Sequence, residues 1–201
     1  MCIRDRAPST PASATPTSTS PSTAATPPSP ALAEARAWTV DLTTSAGNLG
    51  ITLDGALAPQ AVASFVSLAE LGYFDNTSCH RLTVTGIFVL QCGDPTGSGS
   101  GGPSYSFGPI ENAPADNVYP AGTVAMARVG NDANSQGSQF FIVYKASTIP
   151  ADSAGGYTVF GHVTTGLDVV TTVAASGVSG GKTDGPPSIP VTIQGLSLIH
   201  I

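Results

Sequence analysis

The chain has 201 residues, a formal net charge of -6 and only 10% charged residues. At about 150 residues per domain this length allows one domain and a tail, and 41% hydrophobic residues are enough for one core. So acidic a chain, poor in Lys and Arg, excludes general binding to a nucleic-acid backbone; no apolar run reaches the roughly 20 residues of a membrane span, and three His apart from three Cys supply no zinc site.

The two ends stand apart. The chain opens MCIRDR and closes LSLIHI. The codons CTG TCT CTT ATA CAC ATC spell the closing hexapeptide, and their reverse complement contains a frame reading MCIRD. One short DNA element read on opposite strands can therefore encode both ends, as a transposon-end sequencing adapter would. Residues 1–6 and 196–201 are set aside as adapter-derived. Met1 is then not the natural start, which leaves room for an upstream signal or anchor.

Residues 7–36 are nearly all Ala, Pro, Ser and Thr, with seven of the 17 prolines and none of the 23 glycines. Such a composition cannot bury enough apolar surface to offset its ordering entropy, so it predicts a disordered, extended linker. Tethers of this kind join an envelope anchor to an exported domain, and an extracytoplasmic location is expected; an ordinary tail on a cytoplasmic protein is the alternative.

Residues 37–195 have the size of one domain. Residues 38–42 and 49–53 alternate apolar and polar around the turn 45–48 and read as a hairpin. Pro59 opens a helix whose Val62, Phe65, Val66 and Ala69 share a face, and Gly72 closes it. A second hairpin spans 79–92 around Thr85-Gly86, followed by the Gly-rich loop 97–102. Strands are expected at 123–129, 138–144, 157–163 and 191–194, and a short helix at 167–175. Many short strands with two helices predict a closed barrel, which leaves no sheet edge exposed.

The informative run is CHRLTVTGIFVLQCGDPTGSGSGGP at 79–103, with GTVAMARVG at 122–130, QGSQFFIV at 136–143 and YTVFGHV at 157–163. In this order the four segments strongly resemble the cyclophilins, peptidyl-prolyl cis–trans isomerases. The resemblance covers nearly all of 37–195 and implies a mainly β, closed eight-stranded antiparallel barrel capped by two helices. It implies that Arg81 is the catalytic arginine and that Gln91 holds it. It makes Phe88, Val89 and Phe141 walls of a proline pocket and Gly99 part of a neighbouring pocket. Ala127 and Arg128 would bind the substrate chain through their backbone, with Gln139 a further polar contact. Ile149 and Tyr157 fall near the outer wall, where many members carry Trp and His; without that Trp, cyclosporin affinity is expected to be weak. The segment from Arg81 to Gln91 is longer than the familiar R-x-x-P-G-F-x-x-Q and lacks its proline.

Read without the resemblance, the domain has four cations, Arg81, Arg128, Lys145 and Lys182. Arg81 lies beside the apolar run 87–90, where a guanidinium must find acceptors or reach solvent. No nucleophile–base pair, metal site or phosphate loop with a Lys-Ser/Thr ending is present, so no cofactor and no metal are expected. The implied partners are X-Pro segments of unfolded or flexible proteins, with no nucleic acid, no membrane insertion of the domain and a monomeric state. The alternative function is a non-catalytic proline-peptide-binding module or chaperone on the same fold.

Cys79 and Cys92 pose a register question. A regular hairpin turning between Thr85 and Gly86 sets Cys79 opposite Cys92 and Arg81 opposite Leu90. The resemblance wants Arg81 beside Gln91, which a bulge would restore while misaligning the cysteines. A disulfide that braces the Arg81 strand and a pair of buried free thiols both remain open.

Overall fold

The structure is a computed structural model that describes residues 25–200. The expectations for residues 1–6 and 7–24 lie outside the described residues. Strand β1 (Ala37–Thr44) and strand β2 (Gly47–Asp54) form the first hairpin, closed by the two-residue turn at 45–46. Trp38, Val40 and Leu42 alternate into the core, as a period-two pattern requires.

Helix α1 (Pro59–Glu70) buries Val62, Phe65, Val66 and Leu68. Its N-cap, Ala58, offers no side-chain acceptor. Glu111 supplies one from a distant loop: its carboxylate accepts from the backbone N–H groups of Gln60 at 3.0 Å and Ala61 at 2.9 Å. A carboxylate there also meets the positive end of the helix dipole. After the helix Gly72 adopts φ +66°, the left-handed position that favours glycine.

The remaining elements are β3 (Arg81–Thr83), β4 (Val89–Cys92), β5 (Val118–Tyr119), β6 (Thr123–Met126), β7 (Phe140–Val143), β8 (Ser147–Thr148), β9 (Val159–Thr165), helix α2 (Leu167–Ala175), β10 (Asp184–Gly185) and β11 (Ile193–His200). Several strands are shorter than expected because the chain leaves the ladder at the polar segment 127–139. Strands β5 and β8 form a separate two-stranded sheet. The other nine run in the order β10-β3-β4-β7-β6-β9-β2-β1-β11.

This corrects the closed eight-stranded barrel: the sheet is a curled, nine-stranded half-barrel with β10 and β11 at its edges. The segment before β3 meets the approach to β11 only as an isolated antiparallel bridge, Ser78↔Thr192, closed by Cys79 N–H to Val191 O and Ile193 N–H to Thr77 O, both at 2.8 Å. Pro186, Pro187 and Pro190 lie in the approach to that seam, and residues without an N–H cannot extend a ladder.

Both domain boundaries move outward. Strand β11 does not stop at 194; it pairs with β1 through Leu196↔Leu42, Leu198↔Val40 and His200↔Trp38. Residues 196–200, set aside on sequence grounds, therefore complete an edge strand, and Leu196 and Leu198 pack on the core. At the other end the linker expectation fails for residues 28–36. Pro30–Ala33 form a 3-10 turn, Ala33 is fully buried, and the Trp38 indole donates to Ala33 O at 3.0 Å. The Gln60 side chain donates to Pro28 O at 3.0 Å. The composition argument weighs the linker's own apolar area, whereas here the domain supplies the surface on which it packs.

A chain starting at residue 37 should thus melt lower than one starting at residue 28. Losing the Ala33 contact and leaving the Trp38 N–H without its acceptor costs about 2 kcal/mol, or about 4–8 °C in Tm for a domain of this size. Thermal unfolding of the two truncated chains measures the difference.

Candidate active site

The site is built on the β3–β4 hairpin. Its register pairs Arg81 with Gln91 and Leu82 with Leu90, which corrects the Arg81–Leu90 pairing. The turn is centred on Gly86 itself, at φ +78°, rather than between two residues. Thr83 closes it with its side chain: the hydroxyl donates to Ile87 O at 2.8 Å and accepts from Val89 N–H at 3.1 Å. That one-residue shift turns Arg81 and Gln91 to the same face.

From there a relay of side chains runs across the sheet. Arg81 NH1 donates to Gln91 Oε1 at 3.3 Å, and Gln91 Nε2 donates to Gln139 Oε1 at 2.8 Å. Gln139 Nε2 donates in turn to Gly99 O at 3.0 Å and Gly101 O at 2.8 Å. On its other edge Arg81 meets Asp184 in a fork, Nε to Oδ1 at 2.8 Å and NH2 to Oδ2 at 2.7 Å. The Asp184 hydrogen bonds push the Arg81 guanidinium further up, and Arg81 holds the Asp184 carboxyl below the usual carboxylate range. Burial pushes the neighbouring His80 imidazole down, so it adds no positive charge beside Arg81 at neutral pH.

Arg81 and Gln91 open onto a recess of about 130 Å³ whose apolar walls are Ile87, Val89, Phe141, Ile149 and Tyr157. Its floor is a second apolar cluster on the face of the sheet opposite the main core. Strand alternation makes that floor: Phe140 packs in the main core, while Phe141 joins Val89, Ala125 and Ile149 on the other side. Ala127 and Arg128 lie between this recess and a larger groove of about 310 Å³ lined by Gly99, Gln139 and the Gly-rich loop.

One expected site residue stands outside the recess, and the side chain of another serves as a brace. Phe88 is not in the recess; Ile87 takes that position. Phe88 stacks edge-on to Tyr144 at 5.9 Å and carries the Lys145 ammonium 4.4 Å above its ring. The Arg128 side chain is buried and wholly occupied. It forks onto Asp152 at 2.8 and 2.9 Å, donates to the carbonyls of Gly155 at 2.6 Å and Gly156 at 3.0 Å, and lies 4.7 Å over the Tyr157 ring. It braces the segment 150–157 and so holds Tyr157 in the recess wall. Its hydrogen bonds hold the Asp152 carboxyl well below the ordinary range.

Two further devices set the loop and the hairpin. Asp94, with no exposed surface, accepts from the N–H groups of Thr96 at 2.7 Å, Gly99 at 2.6 Å and Gly101 at 3.0 Å, and from the Thr96 hydroxyl at 2.8 Å. Burial alone would raise its pKa, but these donors outweigh it and bring the carboxyl down to about 2. Cys79 and Cys92 are joined by a disulfide, with Cα atoms 4.0 Å apart. They are not directly opposed: the register that pairs Arg81 with Gln91 and Ser78 with Asp94 sets Cys79 against Gly93, so the bridge joins a diagonal pair. The bridge thus coexists with the Arg81–Gln91 pairing, two features that a regular ladder made exclusive.

Residues 39–198 match the family model described as cyclophilin type peptidyl-prolyl cis-trans isomerase/CLD. The chain belongs to this family. A probable peptidyl-prolyl cis-trans isomerase B of Mycobacterium tuberculosis is 44% identical over 171 residues, covering 79% of this chain and 54% of that protein. The Mycobacterium leprae protein of the same name is 43% identical over 169 residues, with 78% and 55% covered. The chain thus spans about half the length of these relatives. Among solved structures, a cyclophilin type peptidyl-prolyl cis-trans isomerase of Cryptosporidium parvum superposes with a TM-score of 0.67 at 27% identity, covering 82% of this chain and 99% of that one. The same protein in the presence of the dipeptide Ala-Pro gives a TM-score of 0.66 at 28% identity, with 81% and 99% covered.

The residues that sequence reasoning misses are carboxylates that hold the site in place. Asp94 had a local signal, an Asp heading a Gly-rich loop. Asp152, Asp184 and Glu111 had none, because their partners lie 24, 103 and about 50 residues away.

Replacing both cysteines with Ala should lower stability by about 3 kcal/mol, the chain-entropy value for a loop of this length. Unfolding of that variant, and of the natural chain with and without a thiol reductant, measures the loss. Asp94→Ala should lower Tm at neutral pH by about 4–8 °C. The Asp94 contribution has a definite sign: its folded pKa is depressed, so the contribution is complete above the unfolded value of 3.8 and disappears as pH falls toward about 2. Melting curves from pH 6 to pH 2 should therefore converge for the natural chain and Asp94→Ala at the acid end.

Proposed function

We propose that this chain accelerates cis–trans rotation of X-Pro bonds in unfolded or flexible proteins, with Arg81 as the catalytic residue. The observation that carries the reading is Arg81 at the rim of an apolar recess with donors to spare. A guanidinium has five N–H groups, of which three are engaged by Asp184 and Gln91. One hydrogen on each terminal nitrogen is left for a ligand.

The barrier to X-Pro rotation, about 18–20 kcal/mol, comes from amide resonance, and the uncatalysed step takes tens to hundreds of seconds. Rotation breaks no covalent bond and transfers no proton, so it requires neither nucleophile nor cofactor. What lowers the barrier is a donor that binds the twisted amide better than either planar form. In the twisted state the prolyl nitrogen regains its lone pair, and the free Arg81 N–H groups would donate to it. Phe141, Val89, Ile149 and Ile87 would hold the proline ring while the preceding carbonyl turns. The Ala-Pro dipeptide with the Cryptosporidium parvum relative fits a ligand of this class. An oxidised Cys79–Cys92 pair supports a place in an oxidising, extracytoplasmic compartment.

A protease-coupled isomerisation assay on short X-Pro peptides tests the reading. Arg81→Ala should lose about 100-fold in kcat/KM, roughly 2.7 kcal/mol of transition-state stabilisation, with circular dichroism and Tm preserved. A folded variant with natural kcat/KM would overturn the role given to Arg81. A natural chain that binds the peptides without accelerating them would make the domain a binding module.

A further inference from the structure

Asp184 belongs to none of the segments that carry the family resemblance and does not line the recess. It nevertheless makes the two shortest contacts that Arg81 has, 2.8 and 2.7 Å, against 3.3 Å for Gln91. The fork engages Nε and NH2, the side edge of the guanidinium. Because the fork takes the NH2 hydrogen on the Nε side, the other NH2 hydrogen is left on the end edge, between NH1 and NH2. Two parallel bonds define the plane of the group, whereas the single long bond to Gln91 leaves it free to swing.

The carboxylate stands on a fixed base. Strand β10 pairs Asp184 with Thr83 and Gly185 with Leu82, directly beside the strand that carries Arg81. Val84 N–H donates to Thr183 O at 3.0 Å on one side, and Ser179 N–H donates to Pro186 O at 2.8 Å on the other. The side chains are 41% exposed for Arg81 and 52% for Asp184, so the ion pair is screened by water and contributes little to stability. Its consequence is orientation: an arginine so exposed would otherwise lose its aim among many rotamers.

We infer that Asp184 is a positioning residue that grips the side edge of Arg81 and presents the end edge to the recess. The inference rests on Arg81 being the catalytic group. Gln91 then fixes where NH1 lies and Asp184 fixes the plane. An orientation needed only as the amide twists appears in kcat more than in KM.

The test is a double-mutant cycle on the full chain in the same peptide assay. Asp184→Ala should lower kcat about 10-fold, with KM changed less than about twofold and Tm within about 2 °C. Asp184→Asn, which keeps the shape and one acceptor, should fall between, and it serves if the alanine variant does not fold. Asp184→Glu should recover part of the rate. In an Arg81→Ala background Asp184→Ala should cost nothing further, which a merely structural role would not produce. Unchanged or faster turnover in Asp184→Ala, or an equal loss in both backgrounds, would overturn the positioning role while leaving Arg81 in place. Natural activity in Arg81→Ala would instead remove the premise about Arg81 itself.

Discussion

The pairing of Arg81 with Gln91 across β3 and β4 decides which side chains reach the recess. Because side chains alternate along a strand, a shift of one residue would send Gln91 to the opposite face and break the relay to Gln139 and the Gly-rich loop. Three local features hold that register. Gly86 takes the positive φ that centres the turn on one residue, Thr83 closes the turn with its hydroxyl, and the cysteine bridge clamps the open end of the hairpin. The bridge spans a diagonal, so it restrains the strands without demanding the register that direct opposition would impose.

A curled sheet with helices at its ends has one buried interior, yet this one carries a second apolar cluster on its outer face. Burying both faces of β4, β6 and β7 is what gives the recess a floor rather than a flat surface. The outer cluster is covered on one side by the segment 150–157, and a buried Arg128 keeps that segment in place. An arginine can do this where a lysine cannot, since its planar fork meets a carboxylate and two carbonyls at once. The domain's few cations are thus used as struts and donors: Arg128 on Asp152, Arg81 on Asp184 and Lys145 over Phe88.

The Gly-rich loop shows the same economy of charge. A single buried carboxylate, Asp94, gathers backbone N–H groups from three residues of a loop that has almost no side chains of its own. Carbonyls of that loop then hold Gln139, which holds Gln91, which holds Arg81. Order therefore passes from one buried charge, through backbone and amides, to the rim of the recess.

The sequence by itself determined what depends on neighbours along the chain. Period-two alternation at 38–42 and 49–53, the helix between Pro59 and Gly72, the helix at 167–175 and the motif order around Arg81 were all legible. The same alternation sets Phe140 and Phe141 on opposite faces. What tertiary structure alone decided depends on partners far apart in the chain. Residues 28–36 look too polar to fold until α1 and Trp38 offer them a surface. Residues 196–200 carry no strand expectation in the sequence, and their pairing with β1 follows from the edge that β1 presents. Ile87, not Phe88, shares a face with Val89 and Gln91 by strand alternation, but that this face carries the recess is decided by the distant segments that wall it. Asp184 meets Arg81 across 103 residues of chain. A fork of hydrogen bonds needs two groups within about 3 Å, and only the folded sheet brings β10 alongside β3.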